Sequence, residues 1–243
     1  MSFQPEEHRG AVQLRNRAFP EQGYLQRSQY HRRMPEGLSI AAGSCISARR
    51  SSHEPHTGGA KEQMIDWKSR IAQMVYIKQT IFELDAEHLW EYRLPRVAST
   101  EAELLAVEAS LGEQLNPEYR SFLGYAGGWP AFYQTVDLFG PFDVADSTIF
   151  SQAMEMLASI ENVVLDGSQL RREDLIPIAA TSLDLDLFVI TRRSSPSPGQ
   201  VIWFAGGEVD RFPSFGEYFL AMMEYNRREV ERLRTAAPRA SSC

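Results

Sequence analysis

The residues with the most chemical potential are Asp184 and Asp186, two positions apart in SLDLDLFVI. In a strand, period-2 geometry would set both carboxylates on one face, with Leu185 and Leu187 on the other. Paired acids can act as acid and base, bind a hard cation, or meet a basic partner. No third carboxylate lies close by in sequence, so solvated edge charge is the preferred reading, followed by protein contact. Glu208 and Asp210, in EVDRF, join them as candidate partner contacts.

Aromatic residues form the second candidate group. Trp129, Phe132 and Tyr133 follow Gly127-Gly128 and could make a ligand platform, although aromatics after a helix stop more often fill the helix–sheet seam. Trp129 is kept as a candidate partner contact. Trp203, in QVIWFAG, alternates with Phe204 and could present one face to solvent as an interface anchor.

Other chemistry is thinly represented. The sequence has no Walker loop, HExxH, paired CxxC or GxSxG elbow, and no GxGxxG following a strand. His88 has no second imidazole near it, so a metal site is not expected. Cys45 lies in unpatterned sequence, where no base would be held against its thiol. Arg171-Arg172 and Arg192-Arg193 flank loops and read as solvated charge rather than a phosphate site. Neither catalytic residues nor a cofactor are expected.

The elements that would position these groups begin near Ile65. Ile65, Ile71, Met74, Val75, Ile81 and Phe82 predict one apolar helical stripe. Thr100 with Glu103 forms a capping box for a helix ending at Gly112, with Leu104, Val107 and Leu111 inward. Asn116 caps the next helix, with Pro117 at its first position. Tyr119, Phe122 and Leu123 form that helix's buried face, and Gly127 or Gly128 its left-handed exit. A strand is predicted over Tyr133 to Phe139, then a helix over Ser147 to Asn162 with Ile149, Phe150, Met154, Leu157 and Ile160 inward. Strands are predicted over Leu175 to Ala180, Leu185 to Thr191, Gln200 to Ala205 and Glu208 to Phe212, the last pair joined by a Gly206-Gly207 hairpin. Ser214 caps a closing helix carrying Phe215, Tyr218, Phe219, Met222 and Met223. Helices, a strand meander and a closing helix predict an α+β domain with a mostly antiparallel sheet.

Composition adds limits. With 43% hydrophobic residues, the 243-residue chain can build one sizeable core. No apolar run is long enough to span a membrane, and the first residues lack a secretory h-region, so a cytoplasmic location is expected. Cys45 and Cys243 are the two cysteines, and no disulfide is expected. Residues 1–60 hold eight Arg, no Lys and five Glu, a balance of +3, which leaves −10 of the total −7 for the remainder. An acidic domain argues against nucleic acid as a direct ligand and suits a basic protein partner. Residues 1–63 are expected to be a disordered tail, 64–235 the folded domain and 236–243 a frayed end. Translation starting naturally at Met64 and a functional basic tail are both open at this stage.

Taken in order, these motifs resemble the SMI1/KNR4 (SUKH) superfamily. The run from Ser99 to Trp129 carries its elements as Glu108, Leu111-Gly112, Leu115, Pro117, Tyr119, Phe122-Leu123 and Gly127-Gly128. LIPIAATSLDLDLFVI, QVIWFAGGEVDRF and FPSFGEYFLAMM resemble the later strands and closing helix, so the likeness runs from about Trp90 to Met223. Thr181-Ser182-Leu183-Asp184 stands where the family usually has a glycine-rich turn, and Asn116 separates Leu115 from Pro117. The resemblance implies a single SUKH-like domain and a non-enzymatic function. Bacterial members are mostly immunity proteins that bind and neutralise a cognate polymorphic toxin. Fungal members are regulatory interaction proteins, the alternative reading. The expected partner is a basic toxin domain, such as a nuclease, held on an acidic concave surface of the sheet.

Overall fold

The computed structural model describes residues 65–236. The expected tail over 1–63, with Cys45 in it, and residues 237–243 lie outside the described residues. Among the described residues, seven α-helices and six strands follow in the order α1 (Trp67–Leu84), α2 (Glu101–Leu111), α3 (Pro117–Leu123), β1 (Trp129–Tyr133), β2 (Val136–Leu138), α4 (Pro141–Asp146), α5 (Thr148–Ser159), α6 (Asn162–Gly167), β3 (Leu175–Ala180), β4 (Leu187–Thr191), β5 (Val201–Phe204), β6 (Glu208–Phe212) and α7 (Phe215–Ala236). The strands form one antiparallel sheet in sequence order, confirming the α+β expectation.

Both faces of this sheet are covered. Along β4 and β5, Phe188, Ile190, Val201 and Trp203 enter a core shared with α1, α2, α3 and α7. Their alternate neighbours Leu187, Val189, Ile202 and Phe204 enter a second core with Ala153 and Leu157 of α5 and Leu165 of α6. All residues of β3, β4 and β5 are therefore buried, as expected for strands packed on two sides. This corrects the expectation of an acidic concave sheet surface, since exposed charge is displaced to strand ends and edges.

Local sequence explains several helix boundaries. Glu103 N donates to Thr100 Oγ1 at 3.3 Å, and Thr100 N donates to Glu103 Oε2 at 2.7 Å, closing the capping box. Gly112 ends α2 at φ +72°, a left-handed conformation that costs glycine little. Asn116 Oδ1 accepts from Glu118 N at 3.0 Å and Tyr119 N at 3.2 Å, with Pro117 opening α3. Glu217 N donates to Ser214 Oγ at 3.3 Å at the start of α7. Tyr119, Phe122, Leu123, Phe215, Tyr218, Phe219, Met222 and Met223 are buried as expected. Trp67 packs edge-on against Phe122 and Phe219, each 5.4 Å between ring centroids, and so joins three helices.

Several expectations fail. Tyr133 to Phe139 is not one strand: β1 ends at Tyr133 and a Gln134-Thr135 turn leads to β2, with Gln134 at φ +51°. The helix expected over Ser147 to Asn162 ends at Ser159, and α4 and α6 flank it. Met154 faces solvent, while Ala153 is buried in α5. Phe82 is exposed on α1, where Trp67 and Ile77 are buried in addition to Met74 and Ile81. Strand β4 starts at Leu187 rather than Leu185, and the β5–β6 connection is the three residues Ala205–Gly207. The exit of α3 is Gly124 in the right-handed region, while Gly128, at φ +100°, sits at the entrance to β1.

Gly127 instead serves close approach. A Cβ on Gly140 would lie 2.1 Å from Gly127 O, and one on Gly127 would lie 2.5 Å from Val97 O. Chain segments before β1, after β2 and before α2 meet there with no space for a methyl group.

A buried polar clamp holds β1. Ala131, at φ +50° within an irregular stretch of β1, is in a conformation that L residues seldom adopt. Its carbonyl accepts from the buried Lys78 Nζ of α1, and its N–H donates to Asp137 Oδ1 of β2 at 2.7 Å. Burial lowers Lys78 from the usual lysine range to about 8 and raises Asp137, the latter against the pull of the Ala131 N–H.

Two outcomes follow. Gly140 has an ordinary φ of −137°, so Gly140→Ala acts through crowding alone and should lower stability by about 2 kcal/mol, read from the urea midpoint. Because the native pKa of Lys78 lies below the unfolded value, the unfolded chain binds the extra proton from about pH 8 to about pH 10. Stability should therefore rise with pH across that window relative to Lys78→Met, by about 2 kcal/mol, in paired denaturation curves.

Candidate functional site: a partner-binding rim

In an antiparallel meander, alternate connections emerge at the same end. Here the Gln134-Thr135 turn, the Thr181–Asp186 loop and the Ala205–Gly207 hairpin share one end of the sheet. Thr135 Oγ1 and Thr181 Oγ1 lie 3.0 Å apart, tying the first two together. These connections build an exposed rim.

The Thr181–Asp186 loop is anchored at both ends. Thr181 N donates to Asp186 O at 3.2 Å, closing the loop, and Leu183 N donates to Thr181 Oγ1 at 3.1 Å. Asp186 is buried, and its Oδ1 accepts from the Trp203 indole N–H at 2.8 Å. Asp184 is exposed and accepts from Leu185 N at 2.8 Å. The expected common face for Asp184 and Asp186 is thus overturned, because both precede β4 and no strand alternation applies. Asp186 holds the loop inward, and Leu183, Asp184 and Leu185 face outward. Leu183 is 45% exposed and Leu185 60%.

Strand β6 supplies the adjoining part of the rim. The register steps from Trp203↔Asp210 to Phe204↔Glu208, so Val209 is an extra residue. That bulge sends Glu208 and Asp210 to opposite faces of the sheet. Asp210 accepts from Tyr225 Oη of α7 at 3.0 Å, and burial together with this carboxylate raises the tyrosine to about 12. Glu208 pairs with Arg211 at 2.8 Å, and Arg211 also donates to Ser168 O at 2.8 Å. Partial burial opposes ionisation of Glu208, yet its hydrogen bonds to Arg211 and Ser168 prevail and lower its pKa. Val209 is 50% exposed, beside these acids.

The two tryptophans proposed as contacts lie elsewhere. Trp129 has 0% exposure, and its indole N–H donates to Arg93 O at 2.9 Å. Trp203 is 2% exposed, stacked on Phe188 at 5.1 Å and edge-on to Tyr133 at 6.0 Å. Both are core residues that a partner cannot touch in this structure. Sequence reasoning missed Leu183, Leu185 and Val209; the available signal was two leucines interleaved with acids where the resembled family has a glycine-rich turn.

Other expected chemistry also finds a structural setting. His88 is exposed and sits 6.4 Å from the Phe82 ring. Arg172 donates to the Leu157 and Ile160 carbonyls at the end of α5, and Arg171 pairs with the buried Asp174 at 2.6 Å. Among the described residues, no group of three His, Cys, Asp or Glu is placed to hold a metal ion, and no helix is long and apolar enough to cross a membrane.

The rim can therefore offer apolar contact beside the exposed carboxylate of Asp184, on a loop held by the buried Asp186–Trp203 hydrogen bond. Comparison with known proteins places this chain in a family. No curated protein matches the chain. The model of the SMI1/KNR4 family (SUKH-1) matches residues 98–221, which extend from the approach to α2 through all six strands into α7. With half of its residues matched in this way, the chain belongs to the SMI1/KNR4 family (SUKH-1).

Proposed function

We propose that this protein is a cytoplasmic immunity protein that neutralises a basic toxin domain, such as a nuclease, by binding it without catalysis. Family membership supports a protein partner, and the −10 balance of residues 61–243 supports a basic one. The observation that carries the reading is the anchored rim loop. Leu183 and Leu185 flank Asp184 on the outside, and Val209 and Glu208 lie at the same end of the sheet.

In this reading, exposed leucine and valine side chains supply the apolar centre of the contact, and Asp184, with the net negative charge of the domain, steers a cationic surface toward it. Asp210 contributes to the local field while holding Tyr225. Pinning Asp186 to Trp203 limits the ordering cost of the loop on binding.

The test is co-expression with the toxin encoded by an adjacent gene, combined with kinetic measurement of complex formation. The parent protein should protect the cell and form a complex whose association slows as salt rises. Asp184→Lys combined with Leu185→Ser should weaken the complex by on the order of a hundredfold, with an unchanged melting temperature. No complex, or full affinity in the double variant, would overturn the assignment.

A further inference from the structure

The opposite end of the sheet carries a different chemistry. A cavity of about 250 Å³ opens between the α2–α3 connection and the loop joining β4 to β5. Its walls include the apolar side chains of Ile176, Ile190, Pro117 and Pro198. Two consecutive guanidinium groups, Arg192 and Arg193, complete it. The domain has a negative balance overall, whereas this lining carries two guanidinium groups against the single carboxylate of Glu113.

The two arginines are held differently. Arg192 Nη1 donates to Glu113 Oε1 at 2.5 Å and to Leu111 O at 3.4 Å, which fixes its head against the end of α2. Its Nε is buried and has no hydrogen-bond partner among the described residues. Arg193 is exposed and has no ion pair among the described residues. Because Glu113 neutralises Arg192, the pocket keeps one unbalanced positive charge, at Arg193.

The backbone fixes the shape around them. Gly199 has φ +82°, and a Cβ there would meet Asn116 Nδ2 at 2.6 Å. Thr191 Oγ1 donates to Ser197 O at 2.6 Å and accepts from Gln200 N at 2.9 Å, bracing the loop that carries both arginines. The cavity has the volume of roughly eight water-sized groups, which suits a short chain but not a nucleotide.

We infer that this pocket binds a carboxylate carried on a short apolar body, with the anion at Arg193 and the apolar part against Ile176 and Ile190. Guanidinium groups suit planar carboxylates, and the apolar walls favour an alkyl substituent over a fully hydrated ion. A free small acid and the C-terminal carboxylate of a polypeptide share this chemistry. The site is independent of the acidic rim, at the other end of the strands.

The experiment is a titration of the full chain monitored by nuclear magnetic resonance, following the Arg192 Nε–H signal and the Gly199 amide. The probes are sodium butyrate, the tripeptide glycyl-glycyl-valine with a free carboxylate, and butanol as the uncharged control. Saturable shifts with either carboxylate, absent with butanol and weakened at least tenfold by Arg193→Gln, are expected. Tighter binding of the tripeptide assigns the pocket to a chain terminus, and tighter binding of butyrate assigns it to a free acid. No saturable shift, or equal shifts with butanol or in Arg193→Gln, would overturn the inference.

Discussion

The constraint on which the rest depends is burial of the sheet from both sides. Alternate side chains of β4 and β5 enter two different apolar cores, one under α1, α2, α3 and α7 and the other under α5 and α6. Neither face of these central strands is left for recognition. Polar and charged groups must then collect where strands end, because there the backbone turns outward and water can reach it. The acidic rim and the arginine pocket are the two ends of the same strands.

Buried hydrogen bonds convert those ends from loose connections into shaped surfaces. Asp186 reaches inward to Trp203, so the neighbouring Leu183, Asp184 and Leu185 are held outward. Lys78 and Asp137 act comparably on Ala131, holding an uncommon backbone conformation from its carbonyl and its N–H. In both cases a polar side chain is consumed in positioning the backbone. The desolvation cost is visible in the lowered Lys78 and raised Asp137. Removing either anchor would leave a buried group unpaired as well as freeing a segment.

The parts of this structure legible in the sequence are those decided over a few residues. The Thr100 box, the Asn116-Pro117 start, the left-handed Gly112 and the bounds of β3 and β6 all follow local rules, as does the family resemblance built from them. Failures arose where tertiary contact decides. Gln134 adopts positive φ without the glycine that usually signals a tight turn, so the strand predicted over Tyr133 to Phe139 runs through that turn, and β1 before it is missed. Asp184 and Asp186 alternate with leucines as a strand would, but strand pairing begins only at Leu187. Trp129 and Trp203 have the composition of interface anchors, yet each indole N–H finds a partner inside, at Arg93 O and Asp186.

The bulge at Val209 shows why the candidate site could not be read as a list of acids. A regular β6 would carry Glu208 and Asp210 on one face, as adjacent members of a charged pair. The extra residue separates them, giving Asp210 to Tyr225 and Glu208 to Arg211, and brings an apolar side chain to the surface between them. It also interrupts an otherwise regular edge, where charge and irregular pairing disfavour indiscriminate strand addition. The same feature that protects the edge therefore gives the rim its mixed apolar and acidic character. The recognition proposed at this end would consequently depend on side chains rather than on continuation of the sheet.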